Sequence, residues 1–212
     1  MSYGFPEGSS QQFSKTFAAA KTITAMTNAN PAVCTSVAHG YTTGDEVLIT
    51  STWEDATDTV FKVTVLTADT FSLTGLNALD TGFYPVGGTG SAQKISGWTA
   101  IPQVLTISAS GGDPRFTDVA PLAKRNAIKI PTGFNATSIT LTLAHDALQA
   151  AYITMLDISR SLTKVALKQV ISGGSVTYGY GYMSASEMPK LNNNSVNTVD
   201  AALTILGRSI SY

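Results

Sequence analysis

The chain has 212 residues, enough for one large domain or two small ones with a sizeable core. Charged residues make up 13% of it, about half the usual share, and the formal net charge is −1. Thirteen basic residues against fourteen acidic ones exclude the clustered cationic surface that tight nucleic-acid binding needs, while the abundant small neutral polar side chains desolvate cheaply and suit surfaces that meet other protein.

The opening stretch MSYGFPEGSSQQF has no basic region and no apolar core, so it does not read as a secretory signal. No apolar run approaches the length that spans a membrane, and no membrane span is expected. Residues 21–94 then predict a small β unit, with strands at Ile23–Met26, Ala32–Val37, Glu46–Thr50, Val60–Leu66 and Thr70–Leu73. Gly44-Asp45 and Gly87-Gly88 mark the breaks. This stretch carries three lysines against seven carboxylates, a net of −4, which leaves +3 for the remainder. The shift in charge marks 21–94 as a domain inserted into a body formed by 1–20 and 95–212. Cys34 is the single cysteine, so no intramolecular disulfide can form, and its place in a strand predicts a core residue.

Between Gly111 and Phe134 the sequence GGDPRFTDVAPLAKRNAIKIPTGF shows no clear period. Its 24 residues are too many for an ordinary connection, and Phe116, Val119, Leu122, Ile128 and Ile130 are too apolar for plain disorder. Arg115, Lys124, Arg125 and Lys129 outnumber Asp113 and Asp118. An apolar and basic loop on a β body predicts an arm that binds another subunit.

Beyond the loop the period returns to two. In Ala136–Ala144, Ile139, Leu141 and Leu143 alternate with Ser138, Thr140 and Thr142. His145–Ser161 breaks the alternation, and Leu148, Ala151, Tyr152 and Met155 form one helical stripe. Asp146 is placed to cap it, with Gln149 as the reciprocal partner. The spacing predicts one helix of about four turns laid across a sheet. Leu162–Ile171 and Val176–Ser186 are strands joined through Gly173-Gly174, a hairpin turn. In the second of them Tyr178, Tyr180 and Tyr182 share one face and Gly179 and Gly181 the other. No cation flanks these tyrosines between Gly174 and Glu187, so they predict packing against the helix or a neighbouring subunit, not a nucleic-acid platform. The glycine face leaves room for another backbone. Val199–Ile205 alternates Val199, Ala201, Leu203 and Ile205 with Asp200, Ala202 and Thr204.

The sequence offers no catalytic or metal-binding constellation. His39 and His145 have no second ligand at metal spacing, and each predicts a structural histidine. Glu54, Asp55 and Asp58 lack the glycine and spacing of a calcium loop and predict a solvated acidic loop. Gly87-Gly88-Thr89-Gly90 lacks the Gly-Lys-Ser/Thr ending of a phosphate cradle and predicts a turn. No Gly-x-Ser-x-Gly elbow is present. No enzyme activity and no cofactor are expected.

Two resemblances cover nearly the whole chain. ITAMTNANPAVCTSVAHGYTTGDEVLITS, FKVTVLTADTFSL and GTGSAQKI resemble a small β-barrel module, the first catalytic-cysteine half-domain of ubiquitin-activating enzymes. The steps Asn28-x-x-Pro31-x-Val33, Ala38-His39-Gly40-Tyr41 and Gly44-Asp45-Glu46-Val47 carry that likeness. The module supplies no catalytic cysteine, and Cys34 lies in its strand. The rest resembles the major tail tube proteins of long flexible-tailed bacteriophages. A strand at Trp98–Ala109, a long loop, ATSITLTLAH, the HDALQAAYITML helix, the hairpin LTKVALKQVISGGSVTYGYGY and the closing TVDAALTILGRSISY follow that family's order.

The resemblance implies a mainly β fold: a β-sandwich of two sheets with one α-helix, here carrying the inserted all-β barrel. It implies a subunit that forms stacked hexameric rings in the virion tail, assembled in the host cytoplasm. DNA would cross the lumen only in transit, and the tape measure, tail terminator and tail tip proteins would be partners. Arg115, Phe116, Leu122, Lys124, Arg125, Ile128 and Lys129 would then lie between rings, and Glu187 and Asp200 would face the lumen. Weakly charged sheet edges favour such closure on physical grounds, since a ring removes edges that a monomer must protect. Two alternatives stand beside it. One is another tail component of related fold, such as a terminator, distal tail or baseplate protein. The other is a carbohydrate-binding adhesion module using Trp53 and Tyr84.

Overall fold

A computed structural model describes residues 7–122, 125–191 and 193–212. The chain starts with β1 (Ser10–Ser14) and β2 (Thr16–Phe17), then builds β3 (Lys21–Met26), β4 (Val33–Thr35), β5 (Glu46–Ser51), β6 (Thr59–Thr67), β7 (Thr70–Leu73) and β8 (Gly88–Ser96). It continues through β9 (Thr99–Ile101), β10 (Val104–Ser110), β11 (Pro114–Val119), β12 (Ile128–Phe134) and β13 (Ser138–Ala144). The helix α1 (Ala150–Ser161) precedes β14 (Lys164–Val170), β15 (Val176–Ala185), β16 (Thr198–Ile205) and β17 (Ile210–Ser211). The fold is mainly β, with several sheets, a small barrel and one α-helix among the described residues.

β3 to β8 close into the barrel, in the order β8-β3-β4-β7-β6-β5 with β5 pairing back onto β8. Ile23, Cys34, Val47, Ile49, Phe61, Val63, Phe71 and Leu73 fill it. Burial pushes the Cys34 thiol up to about 12, because a thiolate there would have no solvation. β8 was not expected as a strand. Its glycines read as a turn, yet only Gly87, at φ 88°, turns, and Gly88 and Gly90 belong to the strand. A Cβ at Gly90 would lie 2.1 Å from the Thr50 carbonyl, so glycine is what lets β5 pair there.

β2 extends the barrel sheet beside β8 and β11 pairs only with β12; the remaining strands form one eight-stranded sheet, ordered β10-β13-β16-β15-β14-β1-β9, with β17 beside β15. Its two edges, β9 and β10, are consecutive in the chain, with only Pro102 and Gln103 between them. The single strand expected over Trp98–Ala109 is therefore broken here. Pro102 has no N–H to give a ladder, and Gln103 turns at φ 61°. Two edges joined by two residues force the sheet to fold over on itself. Both halves share one core: Phe13, Ile101, Val165 and Leu167 face Leu141, Leu143, Val199 and Leu203.

Helix α1 covers one end of that core with Ala151, Tyr152, Met155 and Ile158. It is shorter than the expected 145–161. Asp146 Oδ1 accepts the Leu148 N–H in a local turn, so Gln149 occupies the cap position without a side-chain cap bond. Leu148, expected on the buried stripe, is 89% exposed. Leu162, left-handed at φ 52°, ends the helix.

Candidate assembly surfaces

Tyr178 and Tyr180 were expected to meet the helix or a neighbouring subunit. The structure instead buries both against the barrel of their own chain, where they pack with Ala166, Leu48, Val60 and Ile95. The Tyr178 hydroxyl donates to Glu46 Oε1 at 2.5 Å, and Lys168 Nζ lies 2.7 Å from the same oxygen. Burial, and then the Glu46 carboxylate, push the Tyr178 phenol well above its usual range. Asp55 extends the same contact. It accepts the Tyr84 hydroxyl at 2.9 Å and pairs with Arg208, so it is a clamp and not part of a solvated acidic loop. Glu46 and Asp55 thus spend part of the barrel's negative charge on cations of the sheet. Tyr182, beyond the barrel's cover, is half exposed, with Lys164 Nζ 5.7 Å from its ring centroid.

The residues of the carbohydrate reading are core. Trp53 is 2% and Tyr84 5% exposed; their rings stack edge to face at 5.2 Å, and Trp53 Nε1 donates to the Pro85 carbonyl. Neither ring is left to face a sugar. His39 is likewise a satisfied core residue. Its Nδ1 accepts the Tyr41 N–H at 2.9 Å, and Nε2 lies 3.1 Å from the Thr67 carbonyl, which fixes the tautomer with the proton on Nε2. His145 stacks edge to face on Tyr152 at 5.5 Å.

The aperiodic segment 111–134 is not an irregular loop. It is a two-stranded arm, β11 against β12, that pairs with no other strand. The period was hidden because Pro131 faces Phe116 across a bulge at Arg115/Phe116. Every residue of β11 is exposed, and so is every residue of β12 except half-buried Gly133. One side carries Phe116, Asp118, Lys129 and Pro131; the other carries Thr117, Val119, Ile128 and Ile130. Arg115 lies at the arm's base and Leu122 and Arg125 near its tip, while Lys124 lies outside the described residues.

The outer side of β10, β13 and β16 is a hydroxyl surface. Register sets Thr106 beside Thr142, Ser108 beside Thr140 and Ser110 beside Ser138, with Asp200 beside Thr142. Asp200 accepts from Lys190 Nζ at 2.5 Å and from Thr142 Oγ1, and the lysine holds its carboxyl below the usual range. Glu187 is elsewhere, paired with Arg160 of α1 at 2.9 Å. Because the sheet folds over, this hydroxyl surface and the barrel lie on opposite sides of the shared core.

No curated protein sequence matches the chain. A family model described as phage tail tube protein matches residues 51–212, that is 162 of 212 residues. The match takes in the later barrel strands, the arm, α1 and the hydroxyl surface, and the family is structural, not enzymatic. With three quarters of its length matched, the chain belongs to the phage tail tube protein family.

Proposed function

We propose that this protein forms hexameric rings, that the rings stack into the tail tube of the virion, and that DNA crosses the lumen during ejection. The observation that carries the reading is the β11–β12 arm: an exposed, partly apolar hairpin with no cover in its own chain, in a family that builds a tube from its own copies. Large apolar side chains left in water forgo roughly 1.5–3 kcal/mol each, a cost that contact with the next ring removes. Arg115, Arg125 and Lys129 then set register against carboxylates of the neighbour more than they add affinity.

The hydroxyl surface of β10, β13 and β16 is the lumen face in this reading. Its one carboxylate, Asp200, is held by Lys190, so the wall is nearly neutral. A basic wall would bind phosphate and stall transit, and a hydroxyl wall does not. Residues 21–94, read as the inserted module that their motifs resemble, then stand on the outside, across the core from the lumen. The tape measure, terminator and tip proteins are the expected partners, and assembly takes place in the host cytoplasm. A terminator, distal tail or baseplate role is the second reading; only a tube subunit makes long filaments alone.

Hydrogen exchange on subunit and tube tests the arm. Amides of 116–130 should exchange fast in the free subunit and slowly in the tube. Charge reversal at Arg115, Arg125 and Lys129 together should shorten tubes while leaving the subunit's melting temperature nearly unchanged. Equal exchange in both states removes the arm from the ring contact.

A further inference from the structure

We infer that the open seam of the folded sheet, between β10 and β1, is the socket that receives the arm of a second copy. This rests on the assembly proposed above and names where its contact falls. The core is open at this seam. A groove of about 940 Å3 opens there, lined by Val104, Ile107 and Ile139 of β10 and β13, by Gln11 with its ladder partner Ile101, and by Ile171. β10 is an edge strand, so the groove has one free line of backbone N–H and C=O groups along it. Among the described residues, no charged one lines it.

Gln11 gives the second observation. The residue is 3% exposed, yet among the described residues neither its amide nitrogen nor its amide oxygen has a partner. A buried amide without partners is costly, and a primary amide offers both N–H donors and a carbonyl acceptor, the two kinds of group that a strand's backbone can match. The socket therefore lacks a polar strand with apolar side chains, not a small molecule. The arm is such a strand pair. Val119, Ile128 and Ile130 share one side of it at 37–47% exposure, and Asp118 faces Lys129 on the other. An uncharged groove suits that apolar side. The chain's own arm leaves the sheet after β10 at Gly111, where a Cβ would lie 2.1 Å from the Ala136 carbonyl, and none of its strand residues lines the groove. A second copy supplies the insert, by addition of its strand to an open edge.

Paired cysteines test this in the assembled protein. Ile130→Cys on the arm is combined with Ile107→Cys in the groove, and a second pair uses Val119→Cys with Leu105→Cys. All four positions are exposed, and the buried thiol of Cys34 does not compete. Oxidation of tubes should give a ladder of covalent oligomers from at least one pair and none from the single-cysteine variants. An intrachain bond, seen as a monomer of altered mobility, overturns the socket because the arm then folds back on its own chain. Tubes that form normally with neither pair cross-linking also overturn it, while the tube itself stands. If the unaltered protein forms no tubes at all, the assembly reading falls first and the socket with it.

Discussion

At the residue scale, the tightest steric constraint lies where β15 meets β16. A Cβ at Gly181 would sit 1.9 Å from the Thr204 carbonyl oxygen, and one at Gly179 3.3 Å from Ile205 Cδ1. The sequence shows a bare glycine face that admits another backbone, and that backbone is the protein's own β16. Gly181→Ala should cost about 1–3 kcal/mol or more, because a ladder carbonyl cannot rotate away as a side chain can. Ser184→Ala, on the same strand and exposed, should stay within about 0.5 kcal/mol. Denaturant midpoints of the two variants check this, and equal midpoints would show that the ladder yields. Gln11 carries no such signal. It sits in SQQFS, a strand without apolar alternation, and only the folded sheet reveals that its amide lacks partners. Trp53 and Tyr84 misled in the opposite sense, since an aromatic reads alike in a groove and in a core until burial is known.

Elements divide by how local their causes are. β13 and β16 were legible because one face of each packs on a single core, which keeps the period at two. The helix was legible in its stripe but not in its start, because Asp146 closes its own turn and leaves α1 to begin at Ala150. β8 and the arm were hidden. Glycines forced by the neighbouring β5 look like a turn, and a bulge with Pro131 erases the arm's alternation. The contact between barrel and sheet was half visible. The charge shift marked two surfaces of opposite sign, but not that Glu46 would take both Tyr178 and Lys168. This shared carboxylate makes the two elements stabilise each other. Tyr178→Phe and Glu46→Gln should therefore be non-additive, with a coupling of about 1–3 kcal/mol in a double-mutant cycle, since a hydrogen bond to a charged group in a buried contact is involved. Additivity within about 0.5 kcal/mol would mean that the apolar cluster alone joins them.

The whole molecule is a sheet folded over a single core, with a barrel on one outer face and hydroxyls on the other, an arm at one end and an open seam beside it. A monomer with such an arm, seam and free edge leaves three demands unmet, and in the proposed tube each is met by another copy. Assembly was legible in the low charge and the strand order. The folding-over of the sheet was not, because it depends on the two-residue switch at Pro102 and Gln103. Electron microscopy of the purified protein tests the central claim most directly. The account predicts long tubes of stacked rings with a central channel, formed by this chain alone or seeded by tail partners, with barrel knobs on the outer surface and hydroxyl strands around the channel. A monodisperse monomer at high concentration, unchanged by tail partners, would contradict it.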